Sequence, residues 1–448
     1  MPKDVLQFVS TEDNEIGQDL ITHQDVNAVI LTGGFNTALL FSSWKNDLNL
    51  LAETSGKNSM VLTACCDIDI AVKDLVQSAF GHAGQKCSAA SLAIVDKSIY
   101  ENPNFKKQLL DAVGSLQVGA GYNYATTMGP IIKGAEASLK RALTTLDDGE
   151  QWLLKPKQLD EVGLLWSPGI KDGVTPSSWS HLNEWFGPVL AIMVAPDLAT
   201  AILWQNLTPY GLTAGIQSLD PKECEYWIEN IEAGNLYVNR GVTGAIVNRQ
   251  PFGGWKQSSV GATAKAGGAN YVATLRNWNQ MHHFLPMKEA ANRWLKSTGN
   301  LAIDHSNLDV EKNLQRYRHY KKGFLIRIES GTSKDELDFL SWIKNDLGVT
   351  TRLSSDTLIS GLSNLVVESS QEFISHAAAF DRVRWLSSEI SPVSELMQSG
   401  ISCDRRPITS RGDIEMSRWF LEQSVSITQH RYGNTNAGPK PVCEGLSK

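Results

Sequence analysis

Short apolar runs, each stopped by a turn and followed by a helical stretch, constrain this chain more than any other feature. Residues 27–32, NAVILT, end at Gly33 and Gly34 and read as a buried strand entering a turn. Residues 36–45 then read as helix. SMVLTA at 59–64 is a second strand, followed by DIDIAVKDLVQSAFGHAG, an amphipathic helix. SLAIVDKSI at 91–99 is a third strand, and NPNFKKQLLDAVGSL is a helix opened by Asn102 and Pro103. Strands alternating with helices predict an α/β architecture with a largely parallel sheet.

At 448 residues the chain is long enough for two or three domains, and 42% hydrophobic against 20% charged residues supports a sizeable core. The net charge of -7 argues against a nucleic-acid surface, which needs concentrated Lys and Arg. The six cysteines (Cys65, Cys66, Cys87, Cys224, Cys403 and Cys443) contain no C-x-x-C pair, so neither a zinc site nor a disulfide framework is signalled. A reducing cytosol fits this usage. No basic n-region precedes an apolar core at the N-terminus, and no apolar run is long enough to cross a bilayer. Beyond NYVATLRNWNQ the pattern changes. Residues 284–318 are polar and basic and read as a linker. After them GFLIRIES reads as a strand, SKDELDFLSWIKNDLG as a helix with Ser333 and Glu336 in a capping box, and VRWLS as a further strand. The tail therefore reads as a small α/β domain of its own.

Four stretches stand out, and each alone has an ordinary explanation. FGHAGQKCSAAS at 80–91 sets Cys87 among small and polar residues, yet free cysteines are more often buried and inert. LAETSGKNSMVL at 51–62 puts Glu53 before a glycine turn, where a solvated carboxylate is common. NEWFGPVLAIM at 183–193 is compatible with a turn into a strand, and the glycines of GNLYVNRGVTGAIVNRQPFGGWKQSSVG at 234–261 with loop punctuation.

Together, in this order, the four resemble the aldehyde dehydrogenase superfamily, over about residues 1–280. The resemblance implies that Cys87 is the nucleophile and the most reactive thiol, and that Glu53 is the general base. It further implies that Glu184 binds the nicotinamide ribose of NAD, Phe186 borders the nicotinamide, and Gly33 and Gly34 let the backbone approach the pyrophosphate. Many members carry Ser where this chain has Gly34. GAIVNRQPFGG and Ser88 look like the aldehyde anchor of L-glutamate γ-semialdehyde (Δ1-pyrroline-5-carboxylate) dehydrogenases. On that likeness Ser88 and the amides of Gly244 and Ala245 hold the substrate carboxylate, and Phe252 packs on its aliphatic carbons. AETSGKN, SAFGHAGQKCSA and ATTMGPII look most like the version fused to proline dehydrogenase in the bifunctional proline-utilisation flavoenzyme. NLQRYRHYKKGFLIRI and RGDIEMSRWFLEQSVSITQHRYGN resemble the C-terminal domain of its longer members.

The expected organisation is an aldehyde dehydrogenase-like fold with an incomplete Rossmann-type cofactor domain and a small C-terminal α/β domain. Residues 1–55 are the remnant of the NAD-binding domain, 56–255 the catalytic domain, and 256–283 a return to the cofactor domain and an oligomerisation segment. Residues 284–318 are the linker and 319–448 the C-terminal domain. The resemblance places further cofactor-domain strands upstream, so the chain reads as N-terminally truncated. Expected partners are a small aldehyde substrate and a second copy or the missing N-terminal and proline dehydrogenase portion, in the cytoplasm. The alternative is a catalytically impaired fragment serving as an assembly or cavity-covering module.

Overall fold

The computed structural model describes residues 2–12, 14–261, 264–360, 362 and 364–435. Cys443 and the end of the expected C-terminal domain, residues 436–448, lie outside the described residues. A ten-stranded sheet dominates. Its parallel strands run in the order Gly169–Asp172, Val189–Ala195, Ala90–Asp96, Asn58–Leu62, Thr213–Gln217, Asn235–Val238 and Leu421–Thr428. Antiparallel strands close both edges: Gln151–Leu154 on one side, Glu311–Arg318 and then Ile303–Asp304 on the other. Both faces of the inner strands are covered, which is why Asn58–Leu62 is buried at every position and reads as a continuous run rather than an alternation.

Local signals set the element ends. Asp67 caps helix Ile68–Phe80, and Asn102 caps helix Pro103–Gly114. The helix read through FGHAG stops earlier, at Phe80, because His82 and Ala83 both turn to φ 55. The strand read to residue 99 stops at Asp96, whose carboxylate accepts from the Ser98 N–H and opens the short helix Lys97–Tyr100.

A second sheet carries the N-terminal residues. Val29–Thr32 pairs in parallel with Leu50–Glu53, and Ser259–Gly261 returns antiparallel to the latter. The tail holds a third, all-parallel sheet: Leu365–Val367, Thr351–Ser355, Phe324–Arg327, Arg382–Trp385 and Ser402–Asp404. In chain order this is 3-2-1-4-5, a doubly wound arrangement. The capping box read at Ser333 and Glu336 opens helix Lys334–Asn345.

Residues 284–318 are not a linker. Helix Phe284–Trp294 buries Met287, Ala291 and Trp294 in the tail core, and Glu311–Arg318 is a full strand. Its polar pattern misleads because the polar side chains are paired inside: buried Arg316 donates to Gln423 (2.9 Å) and Glu229 (2.5 Å). Nor is the tail separate. Leu421–Thr428 leaves it to pair with Asn235–Val238, which would otherwise be an exposed edge.

The tail sheet ends on a buried ionic cluster. Burial alone would push the Asp404 carboxyl up, but Arg406, Arg384 and Arg382 hold it well below the usual range. Arg384 also meets buried Glu415 at 3.1 Å. Replacing Asp404 by Ala strands these guanidinium groups, and a loss of about 3–5 kcal/mol is expected in denaturant unfolding followed by tail tryptophan fluorescence. A change below 1 kcal/mol would show the cluster to be well solvated.

Candidate active site

The turn that carries Cys87 is built by close backbone approach. Gly84 sits at φ +67, and a Cβ there would lie 2.2 Å from the Gly187 carbonyl oxygen. The turn thus rests directly on Phe186 and Gly187, and the Gln85 amide adds a hydrogen bond to the Phe186 carbonyl at 3.2 Å. Asn58 ties the turn to the sheet. Its Nδ2 donates to the carbonyls of Cys87 (2.7 Å) and Ala89 (3.0 Å), and its Oδ1 accepts from the Thr213 N–H (3.0 Å).

Cys87 is half-buried. Burial pushes its thiol up, the Ser88 N–H pulls it down, and the charges of Glu53 and Glu184 add to the rise. The resting group is therefore a thiol that needs a base. Among the described residues, exposure alone favours Cys65, in the turn after Asn58–Leu62.

Glu53 ends a strand of the small sheet, and its Oε2 accepts from the Gly254 N–H at 3.0 Å. Burial pushes its carboxyl up to about 8, against the pull of Lys265 and the Gly254 N–H. That range suits a general base working near neutral pH.

Glu184 is bound to the same neighbourhood. Its Oε1 accepts from the Gly56 N–H at 2.9 Å. A Cβ on Gly56 would meet the Cys87 carbonyl oxygen at 2.9 Å. Gly56 therefore donates to the Glu184 carboxylate and packs against the Cys87 backbone with no room for a side chain between them. Burial pushes the Glu184 carboxyl up, while the Gly56 N–H, Ser55 and Lys57 pull it down. Lys57 lies buried 3.2 Å over the Trp185 ring. Phe186 is strained at φ 50 and is 41% exposed, as a side chain offered to a ligand would be.

Gly33 and Gly34 lie at the end of the same sheet. The Gly33 N–H donates to the Glu53 carbonyl at 3.2 Å, and Gly34 opens helix Phe35–Trp44 without a side-chain cap. The Phe35 N–H meets Ser55 Oγ at 3.3 Å. A glycine-lined helix N-terminus beside Glu53 and Glu184 has the chemistry that a dinucleotide's phosphates require.

The residues expected to anchor the aldehyde are less tightly drawn together. Ser88 is buried, with its carbonyl accepting from Thr213 Oγ1 at 3.4 Å. Gly244, at φ +91, and Ala245 are exposed, and Phe252 is half-buried and backbone-paired with Ala266. Among the described residues no hydrogen bond joins Ser88 to Gly244 or Ala245. The loop is braced from the tail: Gln250 accepts from the Ile246 N–H at 3.1 Å and donates to Asn313 at 2.8 Å.

Sequence reasoning missed Gly56, Asn58, Lys265 and Glu422. The first two stand in AETSGKN, where the spacing to Glu53 hinted at them. Lys265 and Glu422 carry no local signal, because only the fold brings them to Glu53. Among the described residues no helix is long and apolar enough to cross a membrane, and no group of three His, Cys, Asp or Glu is set to hold a metal.

The aldehyde dehydrogenase family model matches residues 1–278. A 1-pyrroline-5-carboxylate dehydrogenase of Bacillus licheniformis is 32% identical over 284 residues, covering 61% of this chain and 54% of that protein. Another, from Halalkalibacterium halodurans, is 33% identical with the same coverage. The chain spans about half the length of these curated relatives, 54%. Among solved structures, proline utilization A (PutA) from Corynebacterium freiburgense is similar with a TM-score of 0.80 and 40% identity, over 94% of this chain and 44% of that one. A Thermus 1-pyrroline-5-carboxylate dehydrogenase with bound NAD gives a TM-score of 0.53 and 31% identity, over 58% of this chain and 51% of that one. The first likeness takes in most of the tail.

Proposed function

The chain belongs to the aldehyde dehydrogenase family, and on that footing we propose that it carries the catalytic centre of an NAD-dependent L-glutamate γ-semialdehyde dehydrogenase acting in proline degradation. The observation that carries the reading is Gly56, which couples the Glu184 carboxylate to the backbone of Cys87. The names of the relatives support the substrate and the cofactor. The likeness to PutA supports a proline dehydrogenase module or a second copy of the chain as partner.

Cys87, deprotonated with help from Glu53, attacks the aldehyde carbon and forms a thiohemiacetal. The Cys87 backbone N–H is the candidate donor to the developing oxyanion. NAD, when bound, supplies the chemistry of removing a hydride from that carbon, and a thioester remains on Cys87. Gly33 and Gly34 would admit its phosphates, Glu184 would hold the nicotinamide ribose, and Phe186 would border the ring. Glu53 then takes a proton from the water that hydrolyses the thioester. Ser88 and the amides of Gly244 and Ala245 would hold the substrate carboxylate, with Phe252 on its aliphatic carbons. The braced but exposed loop supports closure onto substrate over a preformed contact.

NADH formation with L-glutamate γ-semialdehyde and with propanal tests the reading. Ser88→Ala is expected to reduce kcat/KM for the semialdehyde about 10–150-fold more than for propanal, because one hydrogen bond to a charged group contributes roughly 1.5–3 kcal/mol. Equal losses would remove Ser88 from the anchor. Acylation of Cys87 without any NADH would favour the catalytically impaired alternative.

A further inference from the structure

A small polar cavity of about 70 Å³ is lined by Glu53, Lys265 and Glu422. The three arrive from separate parts of the fold: Glu53 ends a strand of the small sheet, Lys265 follows the Gly253–Gly254 turn, and Glu422 stands on the tail strand Leu421–Thr428. Lys265 and Glu422 are 2% and 7% exposed. Two buried charges of this kind are costly unless they serve each other or the chemistry beside them.

Their partners leave the charges facing the cavity. Lys265 Nζ donates to neutral acceptors, Asn235 Oδ1 at 2.7 Å and the Gly253 carbonyl at 2.5 Å. The Lys265 main-chain N–H donates to Glu422 Oε2 at 3.1 Å, and Asn270 Nδ2 donates to Glu422 Oε1 at 2.7 Å. Among the described residues the ammonium thus has no carboxylate hydrogen-bonded to it, and acts on Glu53 and Glu422 through space. Burial pushes Lys265 down to about 8, against the pull of Glu53 and Glu422. Burial likewise pushes Glu53 up, to about 8, against the pull of Lys265. The other titratable or charged groups around these residues are Cys87 and Tyr271 at Glu53, Tyr317 at Glu422, and Lys256, Tyr320, Asp381 and Arg382 in the cavity wall. The cavity is polar and roomy enough for water. It shares Tyr320, Asp381 and Leu421 with a groove of about 820 Å³ that reaches the exposed Lys321 and Lys322.

We propose that Lys265 and Glu422 are positioning residues that discharge the general base, with the tail strand supplying the acceptor. The proposal rests on the reading of Glu53 as the base for deacylation of Cys87. As the water oxygen bonds to the thioester carbon, its proton passes to the Glu53 carboxylate and the Cys87 sulfur leaves as thiolate. Glu53 then gives that proton through cavity water to the Glu422 carboxylate, and the Lys265 ammonium keeps its own protons throughout. Glu422 releases the proton toward the groove, and Glu53 is again a carboxylate. Deacylation would therefore depend on correct seating of a strand that lies outside the catalytic motifs.

The full chain and p-nitrophenyl acetate decide this without NAD. A burst of nitrophenolate reads acylation, and the slow phase, followed from pH 6 to 10, reads deacylation. Lys265→Met is expected to move the midpoint of the slow phase upward by roughly 1–3 pH units, since a cation that favours the Glu53 carboxylate is gone. Glu422→Gln is expected to move it downward, since a like charge is gone, and Lys265→Arg to restore the wild-type midpoint. Burst amplitude should hold in all three. A merely structural role would lower both phases and leave the midpoint in place. Superimposable profiles, with a normal burst and a slow phase that still needs Glu53, would overturn the pair alone. Absence of a burst, or a slow phase indifferent to Glu53→Gln, would overturn the deacylation reading and this proposal with it. Should Glu422→Gln fail to fold by circular dichroism, the two Lys265 variants decide by the same displacement.

Discussion

Glu53→Gln is expected to leave Cys87 able to acylate, though more slowly without that base, and to slow release of the acyl group by about 10²–10⁴-fold, the usual contribution of a positioned general base. The working form of Glu53 is the carboxylate, and burial holds its carboxyl up at about 8. The deacylation rate should therefore rise with pH through that value and flatten above it, and the variant should lose this limb. The same burial carries a stability signature. The unfolded carboxyl ionises near its ordinary value of 4.5 while the folded one keeps its proton, so stability falls as pH rises from 4.5 to about 8. The variant removes that loss and should be the more stable protein at pH 8. Pre-steady-state ester hydrolysis and chemical denaturation at pH 5 and pH 8 check both halves. A pH-independent slow phase in the wild type would discard Glu53 as the base.

Gly84→Ala is expected to cost at least about 10²-fold in acylation, the order of loss that follows an ångström-scale misplacement of a reacting group. The added Cβ would lie 2.2 Å from the Gly187 carbonyl oxygen, and φ +67 is disfavoured for any L side chain. Something must move, and the backbone on either side belongs to Cys87 or to Phe186. Because the two share this contact, nucleophile reactivity and NAD affinity should fall together. Gly114→Ala is the matched control, since nothing lies within 4 Å of its added Cβ. Cys87 acylation by mass spectrometry and NAD titration of tryptophan fluorescence report the two sides. Loss of one without the other would mean the turn yields in a single direction.

Much of this was legible in the chain. The alternation of SMVLTA and SLAIVDKSI with helical stretches foretold parallel strands, because buried strands need apolar side chains on both faces. NAVILT also pairs in parallel, but reading it as buried is wrong, since Val29–Thr32 ends a small sheet with Ile30 57% exposed. Local caps were equally readable at Asn102 and Ser333, since a cap is made by residues two or three positions apart. Glu53, Cys87, Glu184 and Phe186 were named from motifs, and the fold brings their elements to one place. The linker reading failed for the converse reason. Glu311–Arg318 is rich in charge, and its partners Glu229 and Gln423 are distant in sequence, so nothing nearby announced that it was paired.

The sequence by itself thus determined the α/β class and the order of the elements, and it named the candidate reactive side chains, all from patterns within a few residues. Only the tertiary structure decided that the tail lends Leu421–Thr428 to the catalytic sheet, that Gly56 touches both Cys87 and Glu184, and that Lys265 and Glu422 share a cavity with Glu53. These are meetings of groups far apart in the chain. Their energies depend on burial and on distances of a few ångströms, which no local pattern encodes.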